Sequence, residues 1–77
     1  MRPEEAFGKV LRELRRKRGL SQEKLALEAD LDRTFISLLE RGLRQPSFGT
    51  ILEISKILGV TAAYLVELAE AEIKEEG

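Results

Sequence analysis

The segment from Leu20 to Gly42, LSQEKLALEADLDRTFISLLERG, constrains the fold more than any other part of the chain. It contains two short helical patterns separated by a break of only a few residues. The first helix is expected to begin after Ser21, whose hydroxyl can accept from the free N–H groups of a first turn. Its apolar residues Leu25, Ala26 and Ala29 then fall on one face. Two short helices joined by so tight a break predict a helix-turn-helix unit.

The second helix carries start signals of its own. Asp32 is the predicted cap, Leu31 precedes it, and Ile36 lies four positions inside the helix, which is the spacing of a hydrophobic staple. Asp30 falls in the break, where aspartate tolerates a left-handed backbone better than most residues. Both helix starts are therefore indicated independently.

The two sides of the second helix differ in chemistry. Ile36 and Leu39 recur on one side and predict its buried face. The opposite side carries Arg33, Thr34, Ser37 and Leu38. Arginine can donate twice to guanine, serine and threonine can bond base edges or phosphates, and leucine can contact a thymine methyl group. We therefore predict that these four side chains contact bases in the major groove of duplex DNA.

At these residues the chain resembles the phage-repressor family, also called Cro-like or xenobiotic-response-element proteins. The run LDRTFIS is especially similar to the controller proteins of restriction-modification systems. The resemblance continues through RGLRQPS and ILEISKILGV and covers most of the chain. It implies an all-α, five-helix, lambda-repressor-like DNA-binding domain with the helix-turn-helix at its second and third helices.

The resemblance also implies roles for single residues. Gln22 stands where the family has a phosphate ligand, and Arg15 and Glu40 stand where it commonly has a buried ion pair between the first and third helices. Leu38 and Leu43 depart from the more polar residues usual at their positions. The full set of predicted phosphate contacts is Ser21, Gln22, Arg41, Arg44 and Gln45. For Arg44 and Gln45, which follow the motif in a loop, an ordinary exposed loop is the alternative.

The remaining patterns complete a single domain over residues 1–77. Apolar residues at helical spacing predict a first helix over about residues 4–18, and the motif helices cover 22–29 and 33–41. Ser47 and Thr61 are predicted caps of helices over 48–58 and 62–72, with a frayed tail over 73–77. The last two helices are more apolar than one buried face requires. The candidates for a dimer interface are Leu52, Tyr64, Val66 and Leu68, with monomer core as the alternative for Tyr64 and Leu68.

Composition narrows the classes of function. The chain has no cysteine or histidine, which argues against zinc fingers, thiol catalysis and histidine-activated nucleophiles, and we expect no enzyme, cofactor or metal. We also expect no membrane association and a cytoplasmic location, because no long apolar run or signal peptide is evident. The net charge of −1 hides a gradient: residues 1–20 carry net +4 and residues 46–77 carry net −4. A local positive region can steer a protein toward phosphate despite a neutral total.

These observations predict a homodimeric transcriptional regulator that binds a pseudo-palindromic operator in duplex DNA without a small-molecule effector. RNA polymerase is a further partner that the sequence leaves open. One alternative is the antitoxin of a toxin-antitoxin operon. Another is a protein-interaction module on the same scaffold, with Phe35, Leu38 and Leu43 as an apolar docking patch.

Overall fold

A computed structural model describes residues 1–76 of the chain, and this part contains five α-helices and no strand. The predicted all-α, five-helix class is confirmed. In chain order the helices are α1 (Pro3–Lys17), α2 (Gln22–Ala29), α3 (Arg33–Glu40), α4 (Phe48–Leu58) and α5 (Ala62–Glu76). No helix in the described part is long and apolar enough to cross a membrane.

The predicted caps fix where the helices begin. Each of the four cap side chains accepts a backbone N–H of its first turn at 3.0–3.1 Å: Ser21, Asp32, Ser47 and Thr61. The turn between α2 and α3 is made by Asp30, which adopts the left-handed region at φ 56°. The next residue, Leu31, donates its N–H to the carbonyl of Ala26 at 2.8 Å, so the turn closes on the end of α2.

All five helices contribute to one core. The largest side chains that are completely buried are Leu11, Leu25, Ile36, Leu39, Ile54 and Leu65. The predicted inward residues of the two motif helices are therefore confirmed. Helix α1 packs against both α3 and α5, and α2 packs against α3 and α4. In this arrangement the buried sides of α2 and α3 pack against the other helices, and their opposite sides face solvent.

Gly8 marks the closest approach of α1 to α3. A Cβ atom built on Gly8 would overlap the backbone carbonyl oxygen of Leu39, and it would lie 2.8 Å from that of Glu40. Gly8 is buried, and both of these neighbours are backbone atoms, which cannot rotate away. The absence of a side chain at Gly8 therefore sets how closely the two helices pack.

Four predicted helix boundaries need correction. Helix α1 covers residues 3–17, because Pro3 provides its first turn, and α3 ends at Glu40 instead of Arg41. The larger difference is the tail, where residues 73–76 are helical and continue α5, while Gly77 lies outside the described residues. Two contacts explain the longer helix: Ile73 packs against the core, and Glu72 accepts from Lys9 of α1 at 3.0 Å.

Candidate nucleic-acid interface

The outward side of α3 is open to solvent. Arg33 and Thr34 are exposed, and Ser37 and Leu38 are half-buried, whereas Ile36 and Leu39 behind them are completely buried. A shallow depression is lined by Gln22, Arg33, Thr34 and Ser37. The structure thus brings together three of the predicted base contacts and one predicted phosphate contact. Leu38 does not line this depression.

Arg15 and Glu40 join α1 to the end of α3. Arg15 donates through Nε to Glu40 Oε2 at 2.5 Å and through Nη2 to Glu40 Oε1 at 3.0 Å. A third donor, Arg15 Nη1, bonds the carbonyl of Leu20 at 2.8 Å, just before α2. Both residues are buried, at 8% and 5% exposure. The bidentate geometry is the strong form of an arginine–carboxylate pair, and it ties three segments of the domain together.

The pKa values of both groups respond to this environment. Burial alone would raise the pKa of Glu40, but hydrogen bonds from Arg15 and Gln22 and the charge of Arg15 outweigh it, so its pKa lies below the usual 4.5. The hydrogen bond to Glu40 raises the pKa of Arg15 against the effect of burial. Both groups therefore stay charged at neutral pH.

Two further donors meet the same carboxylate. Gln22 donates through Nε2 to Glu40 Oε1 at 3.0 Å, and Arg12 Nε lies 3.5 Å from that oxygen. Sequence reasoning missed both contacts. The position of Arg12 three residues before Arg15 was an available signal, because residues at that spacing share a helix face. No such signal exists for Gln22 and Glu40, which lie on different helices.

The other predicted phosphate contacts surround the motif. Arg41 and Ser21 are exposed at the end of α3 and the start of α2. In the loop after α3, the guanidinium of Arg44 lies over the Phe35 ring, 5.6 Å from its centroid. The next residue, Gln45, donates to Glu4 at 3.3 Å and so contacts the start of α1. The two predicted donors of this loop therefore contact different parts of the domain: Arg44 lies against α3 and Gln45 against the start of α1.

Helix α1 ends in a run of cations. Arg16, Lys17 and Arg18 are exposed at its C-terminal end, just before the motif. Acidic residues of α5 lie close to the cations of α1: Lys17 lines a groove together with Glu72 and Glu75, and Lys9 pairs with Glu72. Among the described residues, no group of three histidine, cysteine or acidic side chains is arranged to hold a metal ion.

Comparison with known proteins identifies the family. The family model described as helix-turn-helix matches residues 11–65. Control protein C.BamHI of Bacillus amyloliquefaciens is 50% identical over 62 residues, which is 79% of this chain and 76% of that protein. The chain belongs to the helix-turn-helix family that includes this control protein. The resemblance carried by LDRTFIS is confirmed, and the family is one of DNA-binding regulators and not of enzymes.

Two further members of this helix-turn-helix family resemble the chain over most of their length. Control protein C.MunI of a Mycoplasma species is 43% identical over 67 residues, which is 86% of this chain and 90% of that protein. The restriction-modification controller protein C.Esp1396I has been solved as a tetramer in complex with its natural 35 base-pair operator. It matches this fold with a TM-score of 0.83 and 32% identity, covering 95% of this chain and 96% of that chain.

The residues predicted for a dimer interface in this helix-turn-helix protein do not form one patch. Tyr64 and Leu68 line a groove between α1 and α5. Val66 lies in a second groove, which also includes Ile51 of α4. Leu52 is 46% exposed on α4, and Leu68 packs against the core. The alternative of monomer packing therefore describes Leu68, while Tyr64, at 46% exposure, is only partly covered.

Proposed function

We propose that this protein is a transcriptional regulator of the restriction-modification controller type, which binds a pseudo-palindromic operator as a homodimer. The observation that carries the proposal is the depression formed by Gln22, Arg33, Thr34 and Ser37 on the open side of α3. It places donors for bases and for a phosphate side by side, while Ile36 and Leu39 anchor the helix in the core. The operator complex of C.Esp1396I, a protein of the same family, supports this assignment.

The proposed roles follow from chemistry and exposure. Arg33 donates to a guanine, Thr34 and Ser37 bond base edges, and Leu38 contacts a thymine methyl group. The proposed phosphate contacts are Ser21, Gln22, Arg41, Arg44 and Gln45. The Arg44 guanidinium lies over the Phe35 ring in the free protein. Gln45 has to release Glu4 or use its second N–H group.

We propose that the dimer forms through exposed apolar residues of α4 and α5, with Leu52 and Val66 as its main contacts. A twofold dimer would present its two α3 helices about 34 Å apart, which matches successive major grooves on one face of B-DNA. We further propose that the protein acts in the cytoplasm without catalytic activity. Contact with RNA polymerase stays a prediction.

Selection of bound fragments from a random duplex library tests this function. We expect enrichment of inverted repeats, with two protomers on each repeat by native mass spectrometry. Binding should weaken steeply with salt, because each phosphate contact adds a slope of about −0.9 in log affinity against log salt. The selection could instead enrich no sequence, while the protein binds a protein partner with an affinity that does not change with salt. That result would support docking through Phe35, Leu38 and Leu43. Of these residues, Leu43 is the most open, at 57% exposure.

Replacing Arg33 with alanine should relax discrimination at one base pair of the selected operator. The expected loss on cognate DNA is about 1–3 kcal/mol, with little loss on scrambled DNA. Gln22→Ala is the matched comparison, because loss of a phosphate contact should weaken binding to both duplexes alike. Fluorescence anisotropy on the two duplexes measures both effects. Equal losses on both duplexes for Arg33→Ala would contradict its assignment to a base.

A further inference from the structure

The carboxylate of Glu40 connects the core with the open side of the motif. Its side chain has no exposed surface, yet it accepts hydrogen bonds from Arg15, Gln22 and Arg12. Arg15 is buried with it, whereas the Arg12 side chain is 43% exposed and Gln22 is half-buried. One buried charge thus holds two donors that reach the protein surface.

Gln22 and Arg12 keep donors that Glu40 does not use. A carboxamide has two N–H groups and a guanidinium has five, and Glu40 takes one from each of these side chains. Because a carboxylate only accepts, the Gln22 amide has to turn its nitrogen toward Glu40. The contact therefore fixes the orientation of the amide. Two guanidinium groups against one carboxylate also leave a net positive charge, which suits an anionic ligand.

We propose that Glu40 is a positioning residue for binding the DNA backbone, holding Gln22 and Arg12 as neighbouring donors for phosphate. This inference rests on the proposed function and adds Arg12 to the phosphate contacts. A donor that is already held in place loses less side-chain freedom when it binds, so affinity depends on Glu40 although Glu40 does not touch DNA.

The contribution of Arg12 is tested by removing its charge. Arg12→Gln should weaken binding to cognate and scrambled duplexes alike, by about tenfold at low salt, and reduce the salt slope by about one phosphate. Lys9→Gln is the matched control, because it removes one charge from the same helix where Lys9 pairs with α5. Identical slopes and affinities for the two variants would overturn the role of Arg12.

The positioning role of Glu40 is tested by a double-mutant cycle at a temperature where circular dichroism shows all variants folded. In the parent, Gln22→Ala should weaken binding to both duplexes by about tenfold. In a Glu40→Gln background the same change should cost less than about threefold, because the amide is no longer held by a charge. A purely structural Glu40 would lower thermal stability but leave the effect of Gln22→Ala unchanged, and that result would overturn the proposal.

A measurement on the unaltered protein covers the case in which Glu40→Gln does not fold. The side-chain NH₂ signals of Gln22 can be identified by their loss in Gln22→Ala. We expect slow solvent exchange for the proton bonded to Glu40 and a shift of the other proton when duplex is added. Exchange of both protons at the solvent rate would contradict the positioning role while leaving DNA binding intact. Failure to bind any duplex would instead reject the proposed function itself.

Discussion

Gly8→Ala is expected to destabilise the domain by about 2–3 kcal/mol, although alanine in a helix interior normally gains about 1 kcal/mol over glycine. The added Cβ would overlap backbone carbonyl oxygens of Leu39 and Glu40, so α1 and α3 have to move apart. The separation would also loosen the contact between Arg15 and Glu40. Thermal unfolding followed by circular dichroism should show a midpoint lowered by about 10 °C or more.

Gly49→Ala provides the matched control for this substitution. Gly49 also lies in a helix, but a Cβ there meets only the Ser47 hydroxyl at 3.9 Å, which is ordinary contact. We expect its unfolding midpoint to stay equal or rise, because helix propensity then acts without a clash. An unchanged or raised midpoint for Gly8→Ala would show that α1 does not approach α3 so closely.

Glu40→Gln should cost about 3 kcal/mol at neutral pH, because it leaves the buried Arg15 guanidinium without its counter-charge. The residual amide oxygen still accepts one hydrogen bond, which keeps the loss at the lower end of the range for broken buried pairs. Urea unfolding of the parent and the variant at pH 7 measures the difference. Equal free energies of unfolding would show that the pair contributes nothing to stability.

The difference in the free energy of unfolding between the parent and Glu40→Gln should become smaller in acid. The pKa of Glu40 in the folded protein lies below its usual value of 4.5, so its contribution is fully present above that value and is lost as pH falls through the folded pKa. Repeating the unfolding measurements from pH 6 to pH 3 should therefore bring the two proteins closer together. Other carboxylates, including Glu4 with its lowered pKa, titrate in both proteins and cancel in the difference. A gap that widens in acid would contradict this sign.

Local signals in the sequence predicted most of the fold. The caps Ser21, Asp32, Ser47 and Thr61 act within their own first turns, so neighbouring residues decide them. The burial of Ile36 and Leu39 follows from helical periodicity in the same way. The exposed side of α3 was predictable because it is the side opposite that buried face.

Contacts between separate helices could not be predicted from local sequence signals. The approach at Gly8 depends on where α1 crosses α3, and a glycine in a helix gives no sign of its neighbours. The bond between Gln22 and Glu40 requires the end of α3 to lie beside the start of α2. Both contacts are properties of packing angles and not of local pattern. The separation of Tyr64 from Val66 differs from them, because residues two apart on a helix face different sides, so local pattern alone could have shown that these two residues do not share one face.

The C-terminal end of α5 is helical although its composition predicts fraying. Its acidic sequence predicts fraying, but Ile73 packs on the core and Glu72 pairs with Lys9, so α5 continues to Glu76. A contact with a residue more than sixty positions away is invisible to a local window.

Helix α3 has a buried side and an exposed side, so under the proposed function its base contacts are separate from the residues that stabilise the fold. Arg33 and Thr34 are exposed and contribute nothing to the core, so exchanging them leaves Ile36, Leu39 and the buried Arg15–Glu40 pair in place. With the base contacts proposed for Arg33 and Thr34, new operator preferences would be accessible by substitution at a few surface positions, without compensating changes elsewhere. Such regulators could therefore change their target sites during evolution with little loss of folding stability.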